Sequence, residues 1–156
     1  MHPMTTSRRR TGAGASFLLA LSFLASGLVA CATSPDAAPS AAEQANVQVV
    51  DAFIAAWDDP DRAVGYLAPQ ASVRMIEDQP PIIGQEAIAA AFKGFMSPGV
   101  TLTVETLETT VHGPIVMNKR IDTLKTEGKP DQVFPVVGVF LVKDGKITEW
   151  TDYLDK

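Results

Sequence analysis

The order of residue periodicities predicts an α+β fold. Apolar residues recur at helical spacing just after residue 44, whereas the last sixty or so residues read as Thr- and Val-rich extended segments separated by turn signals. At 156 residues the chain has room for one ordinary domain and not comfortably two. Helices gathered early and a strand meander late place about three helices against one face of a curved, mostly antiparallel sheet.

Val47, Val50, Phe53, Ile54 and Trp57 lie on one side of a helical wheel, which predicts an amphipathic helix over residues 45–58. Asp59-Pro60 restarts the chain, with Asp59 as N-cap and Pro60 in the first turn. The short helix that follows spans residues 60–67 and ends before Pro69. Residues 71–77 alternate as a strand, which Gln79-Pro80-Pro81 breaks. Gly84-Gln85-Glu86 opens a helix carrying Ile88, Phe92 and Phe95 on one side and ending near Pro98-Gly99.

From there the period becomes extended. Strands are expected over residues 100–110, 115–125, 133–143 and 146–154. His112-Gly113-Pro114 and Glu127-Gly128-Lys129-Pro130 supply the first two turns, and Asp144-Gly145 is a hairpin signal. In the third of these strands Val136, Gly138, Phe140 and Val142 alternate with Val133, Pro135, Val137, Val139 and Leu141. Both faces are therefore apolar. One serves the core, and the other predicts a homodimer across the sheet.

Ahead of this domain stand two segments of another kind. Arg8, Arg9 and Arg10 precede a chargeless run over residues 16–30, SFLLALSFLASGLVA. That run is shorter than the ~20 apolar residues a membrane span needs, and it ends in small residues, as a secretory signal does. Residues 1–30 read as a signal peptide. Residues 31–44 are small, polar and proline-bearing and read as a tether, leaving residues 45–156 as the folded domain. The tetrapeptide Leu28-Val29-Ala30-Cys31 resembles a bacterial lipobox. That resemblance implies a lipid chain on Cys31, anchorage to an envelope membrane without spanning it, and passage onward to an outer membrane where the cell has one.

Composition narrows the chemistry. The formal net charge is −5, and it grows more acidic once the three leader arginines are removed, a poor basis for meeting phosphates, so no nucleic-acid partner is expected. A single cysteine excludes an internal disulfide framework and a multi-cysteine zinc site. With two histidines, one of them His2, neither a metal nor a cofactor is expected. His112 reads as an exposed turn residue. The chain has no nucleophile-elbow glycines and no Gly-rich phosphate loop. Asp58-Asp59-Pro60-Asp61 is helix-end and helix-start chemistry rather than a calcium site.

Strand parity then singles out one cluster. In residues 115–125, Asn118, Arg120, Asp122 and Leu124 share a face. In the last strand Thr148, Trp150, Asp152 and Leu154 do the same. Where that face lines a pocket, an arginine and two carboxylates among apolar neighbours have to satisfy one another, and the planar guanidinium of Arg120 can bridge both; the plainer readings are a structural ion-pair network or a solvated sheet face. Such carboxylates do not titrate alike, so one can keep a proton while the other is ionised.

The element order, with the ending VFLVKDGKITEWTDYLD, resembles the cone-shaped fold shared by nuclear transport factor 2, ketosteroid isomerase and the SnoaL-like cyclases. That resemblance implies a pocket for a small apolar ligand and a homodimer. Arg120-x-Asp122 followed by Trp150-x-Asp152, with Pro80-Pro81-Ile82-Ile83-Gly84 before the helix, is similar to limonene-1,2-epoxide hydrolase, a branch of that fold. The likeness spans residues 47–154. It implies that Asp122 is the general acid, Asp152 the general base, Arg120 the bridge and Trp150 a pocket wall, with water added to an epoxide in one step and no covalent intermediate. The sequence departs from that family at one place. The family holds the attacking water with a tyrosine and an asparagine two apart on the first strand. The matching positions here are Arg74 and Ile76, or Val73 and Met75 one residue over. Tyr66 and Tyr153 stand elsewhere, and Asn118 is the candidate to hold the water instead. Two other readings stand beside the hydrolase: an isomerase or cyclase using one Asp as base, and a non-catalytic module binding an apolar ligand at the envelope.

Overall fold

The computed structural model describes residues 38–154. The arginine-led apolar run and Cys31 lie outside the described residues, as does the first half of the tether.

Helix α1 (Ala41–Ile54) begins four residues before the expected start. The reason is local. Ser40 Oγ accepts from the Glu43 backbone N–H while the Glu43 carboxylate accepts from the Ser40 N–H at 2.8 Å, a capping box that satisfies two otherwise orphaned donors. The end of the supposed tether is thus the first turn of a helix. Glu43 also accepts from Gly113 N–H at 2.8 Å, tying the helix start to a distant sheet turn. Helix α2 (Pro60–Ala63) opens as expected, with Asp59 Oδ1 accepting from the Arg62 N–H and Pro60 in the first turn, and it runs on into a 3-10 turn, Val64–Tyr66.

Strand β1 (Leu67–Arg74) starts earlier than the alternation indicated. Pro69, expected to lie outside any strand, falls where the pairing shifts register between Leu67 and Ser72. A residue without an N–H is tolerated at such an irregularity. The segment after Pro80-Pro81 is not merely a break. It forms a two-residue strand, β2 (Ile82–Ile83), pairing antiparallel with Val73 and Ser72. Helix α3 (Gln85–Phe95) follows, and then β3 (Val100–His112), β4 (Ile115–Thr126), β5 (Gln132–Lys143) and β6 (Lys146–Leu154). Asp144 and Gly145 both have positive φ, 50° and 70°, as the tight β5–β6 hairpin requires.

The six strands pair in the order β2-β1-β6-β5-β4-β3, all antiparallel except β1 with β6. The helices pack on one face of this curved sheet. Phe53 from α1, Ile88 and Phe92 from α3, and Val116, Phe140, Ile147 and Trp150 from the sheet build the core between them. The other sheet face leaves Ile115, Met117, Val133, Val137 and Tyr153 exposed.

One parity expectation fails. Leu141 pairs with Glu149 but Val142 pairs with Ile147, which leaves Thr148 unopposed in a bulge. Ile147 and Trp150 therefore both face the core, and Thr148 does not share their face. Its hydroxyl instead donates to the Leu141 carbonyl at 3.1 Å.

Candidate active site

Strand β4 pairs with β5 in unbroken register from Ile115 to Leu124. Strict alternation along β4 therefore sends Asn118, Arg120 and Asp122 into the helix-covered side of the sheet, and all three are buried. Strand β6, two strands away, sends in Trp150 and Asp152.

Arg120 is fully buried and joins the two strands. Its Nε donates to Asp122 Oδ1 and Oδ2 at 3.0 and 3.2 Å, its Nη1 to Asn118 Oδ1 at 3.0 Å, and its Nη2 to Asp152 Oδ2 at 2.5 Å. The face of the guanidinium lies 5.0 Å from the Trp57 ring centroid, a cation–π contact. Trp150 Nε1 donates to the other Asp152 oxygen, Oδ1, at 2.6 Å.

Burial pushes Asp152 up to about 6, against the opposing pull of Arg120 and of the Trp150 N–H. It raises Asp122 as well, again against Arg120. With both carboxylates ionised the trio carries one excess negative charge in an apolar surrounding, and one proton removes it. The hydrogen bonds distinguish the two carboxyls, and they oppose the order set by burial, which lifts Asp152 the further of the two. Each Asp152 oxygen receives its own N–H, an arrangement that serves a carboxylate. Asp122 receives one N–H shared between its oxygens, so it has room to carry a proton. At pKa about 6, Asp152 is roughly nine-tenths ionised at pH 7.

Both carboxyls open onto a cavity of about 310 Å³, whose wall is otherwise apolar and includes Trp57, Met75, Phe92, Met96, Phe134 and Trp150. Behind it Trp150 stacks on Phe140, with centroids 5.9 Å apart and planes 7° apart, and meets Phe53 edge-on at 5.4 Å. The stack fixes the indole that holds Asp152.

Arg120, Asp122, Asp152 and Trp150 are thus brought together as the sequence pattern required. Asn118 is on the expected face but not in the expected place: it does not line the cavity, and its amide oxygen supports Arg120 instead. Of the two registers considered for the first strand, Val73 is buried and Met75 lines the cavity, so the inward positions carry no hydrogen-bonding side chain. His112 is exposed at the end of β3. Trp57 and Met75 were not identified as wall residues from sequence. Helical spacing marked the inward side of α1, but nothing in it showed that the helix end comes to rest over a buried guanidinium.

Residues 44–156 match the family model of the limonene-1,2-epoxide hydrolase catalytic domain. Among solved structures, an LEH-like epoxide hydrolase from M. tuberculosis is similar at 29% identity and TM-score 0.65, over 72% of this chain and 84% of that one. A protein assigned as a SnoaL-like polyketide cyclase from Jannaschia matches at 22% identity and TM-score 0.65, over 76% of this chain and 91% of that one. An NTF2-like protein from Burkholderia xenovorans matches at 23% and 0.61, over 72% and 91%. These last two likenesses speak to the fold alone.

Proposed function

We propose that this chain, which belongs to the limonene-1,2-epoxide hydrolase family, adds one molecule of water to a small hydrophobic epoxide in a single step. The observation that carries the reading is a pair of carboxyls with unequal hydrogen bonding, held on one buried arginine and facing an apolar cavity of about 310 Å³.

The chemistry needs an acid on the epoxide oxygen and a base on the attacking water. Ionised Asp152 takes a proton from water as the water oxygen bonds to an epoxide carbon. The carbon–oxygen bond of the ring breaks, its electron pair stays on the oxygen, and Asp122 protonates that oxygen to complete the diol. Asp152 is then protonated and Asp122 ionised, and a proton passes back before the next turnover. Arg120 keeps its charge throughout and holds both carboxyls in place. With Val73 and Met75 facing inward, the water relies on Asp152 for its orientation.

The test is to incubate the protein with a panel of cyclic and terpenoid epoxides and to look for diols. Asp152→Asn abolishes diol formation on this reading, and equal turnover in that variant would remove Asp152 as the base. The inward apolar residues Val73 and Met75 favour one other reading, a non-catalytic module binding an apolar ligand. That reading predicts ligand-dependent thermal stabilisation with no product from any epoxide.

The setting belongs to the same proposal. Cys31 carries a lipid that anchors the domain to a bacterial envelope membrane after export, which mass spectrometry of the protein before and after Cys31→Ser reads directly. Two copies pair through the sheet face that exposes Ile115, Met117, Val133, Val137 and Tyr153.

A further inference from the structure

Arg120 rises from β4, yet one of its partners, Asp152, stands on β6, with β5 between them. Neighbouring strands lie about 4.8 Å apart, so the arginine crosses the whole width of β5. The β5 residue in register with Asn118 on one side and Asp152 on the other is Gly138. The inward residues next to it along β5 are the bulky Val136 and Phe140.

A glycine inside a strand weakens it and marks a close approach of some other group. Here that group is the guanidinium. A Cβ on Gly138 would stand 2.3 Å from Arg120 Nη1, 2.7 Å from Asn118 Oδ1 and 2.8 Å from Phe140 Cε2. All three distances are shorter than van der Waals contact. The first two atoms are themselves hydrogen-bonded at 3.0 Å and fully buried, and the Phe140 ring is stacked on Trp150. Gly138 is not among the positive-φ glycines, so the demand at this position is for space and not for an unusual backbone.

We propose that Gly138 is a positioning residue: its missing side chain is the notch through which Arg120 crosses β5 to hold Asp152. The proposal rests on the hydrolase reading only for its catalytic consequence. The placement of the arginine can be tested without any substrate. A methyl group in the notch pushes the guanidinium back toward β4, and Asp152 loses the positive charge that opposes its burial.

The experiment is a carboxyl carbon-13 NMR titration of Asp152 in the full-length protein and in Gly138→Ala. The expected result is a midpoint at least one pH unit higher in the variant, a tenfold or greater rise in proton affinity. A folded variant with a lowered Tm and an unchanged Asp152 midpoint would overturn the proposal, because it would show a glycine needed for packing alone. If Gly138→Ala does not fold, the same substitution is made in Arg120→Lys, where the atom it strikes is absent. The proposal expects the double variant to match the Tm of Arg120→Lys. Failure of the alanine in that background would assign the notch to Asn118 and Phe140, the two contacts that remain, and overturn it. Where the wild type yields diol, kcat falls in Gly138→Ala while KM is kept, since neither Gly138 nor Arg120 lines the cavity. A wild type that yields none counts against the hydrolase and leaves the titration decisive for the notch.

Discussion

Asp152→Asn makes a stability prediction that needs no substrate. Burial raises Asp152 from 3.8 to about 6, so between those values the folded protein holds a proton that the unfolded chain has released. The associated stability is complete below about pH 4 and is lost as the pH rises through 6. The displacement amounts to about 3 kcal/mol. Asp51, also raised by burial, adds the same slope to both proteins; Asp122, raised as well, is relieved of a neighbouring negative charge in the variant, which flattens the variant's slope further. The asparagine has no charge to bury, but its amide NH₂ faces one of the two N–H donors that Trp150 and Arg120 direct at this site. That mismatch costs about 1–2 kcal/mol. The variant is therefore expected to lie level with wild type or up to about 1 kcal/mol below it at pH 4.5, and about 1–2 kcal/mol above it at pH 8. Urea unfolding at the two pH values measures this. A wild type equally stable at both, or a variant that keeps the full wild-type slope, would refute the reasoning.

Arg120→Met strips the counter-ion from two buried carboxyls and should cost about 3–5 kcal/mol at pH 7, much of it recovered in acid as both carboxyls protonate; denaturant midpoints at pH 7 and pH 4.5 report it. Ser40→Ala removes the capping box and should cost about 1 kcal/mol, a fall in Tm of roughly 4 °C for a domain of this size. At the same site Glu43 is held at about 2 by its hydrogen bonds to Gly113 and Ser40, so its contribution is full above pH 4.5 and fades as the pH falls through 2. Val137→Lys puts a charge in the middle of the apolar outer face, beside Lys119 and Tyr153; sedimentation should find a dimer for wild type and a monomer for the variant.

The acid–arginine–acid cluster was legible because its members stand two apart on a strand whose register is unbroken, so alternation alone assigns their face. The same rule misplaced Thr148, since a single unopposed residue reverses parity and alternation does not reveal it. Small, proline-bearing composition masks the start of α1, although Ser40-x-x-Glu43 is a sufficient local signal for it. Pro69 reads as a stop in the sequence, and a register shift in β1 accommodates it. Asn118 lies on the face that alternation gives it, and its amide oxygen meets Arg120 there. Parity says which side of a sheet a residue occupies, and the length of Arg120 decides what it meets there. Trp57 as the roof of the guanidinium and Gly138 as its passage depend on how α1 and three strands come together, which no local pattern encodes.

The most direct measurement of the central claim is a single turnover with the protein in excess over a cyclic epoxide in ¹⁸O-labelled water. Direct attack by a water held on Asp152, with Asp122 as acid, predicts a diol that carries one labelled oxygen from the first turnover and aspartates that carry none. An unlabelled first diol would mean that a carboxylate oxygen had attacked instead. No diol at all from an epoxide that stabilises the fold would mean that the cavity binds without catalysis.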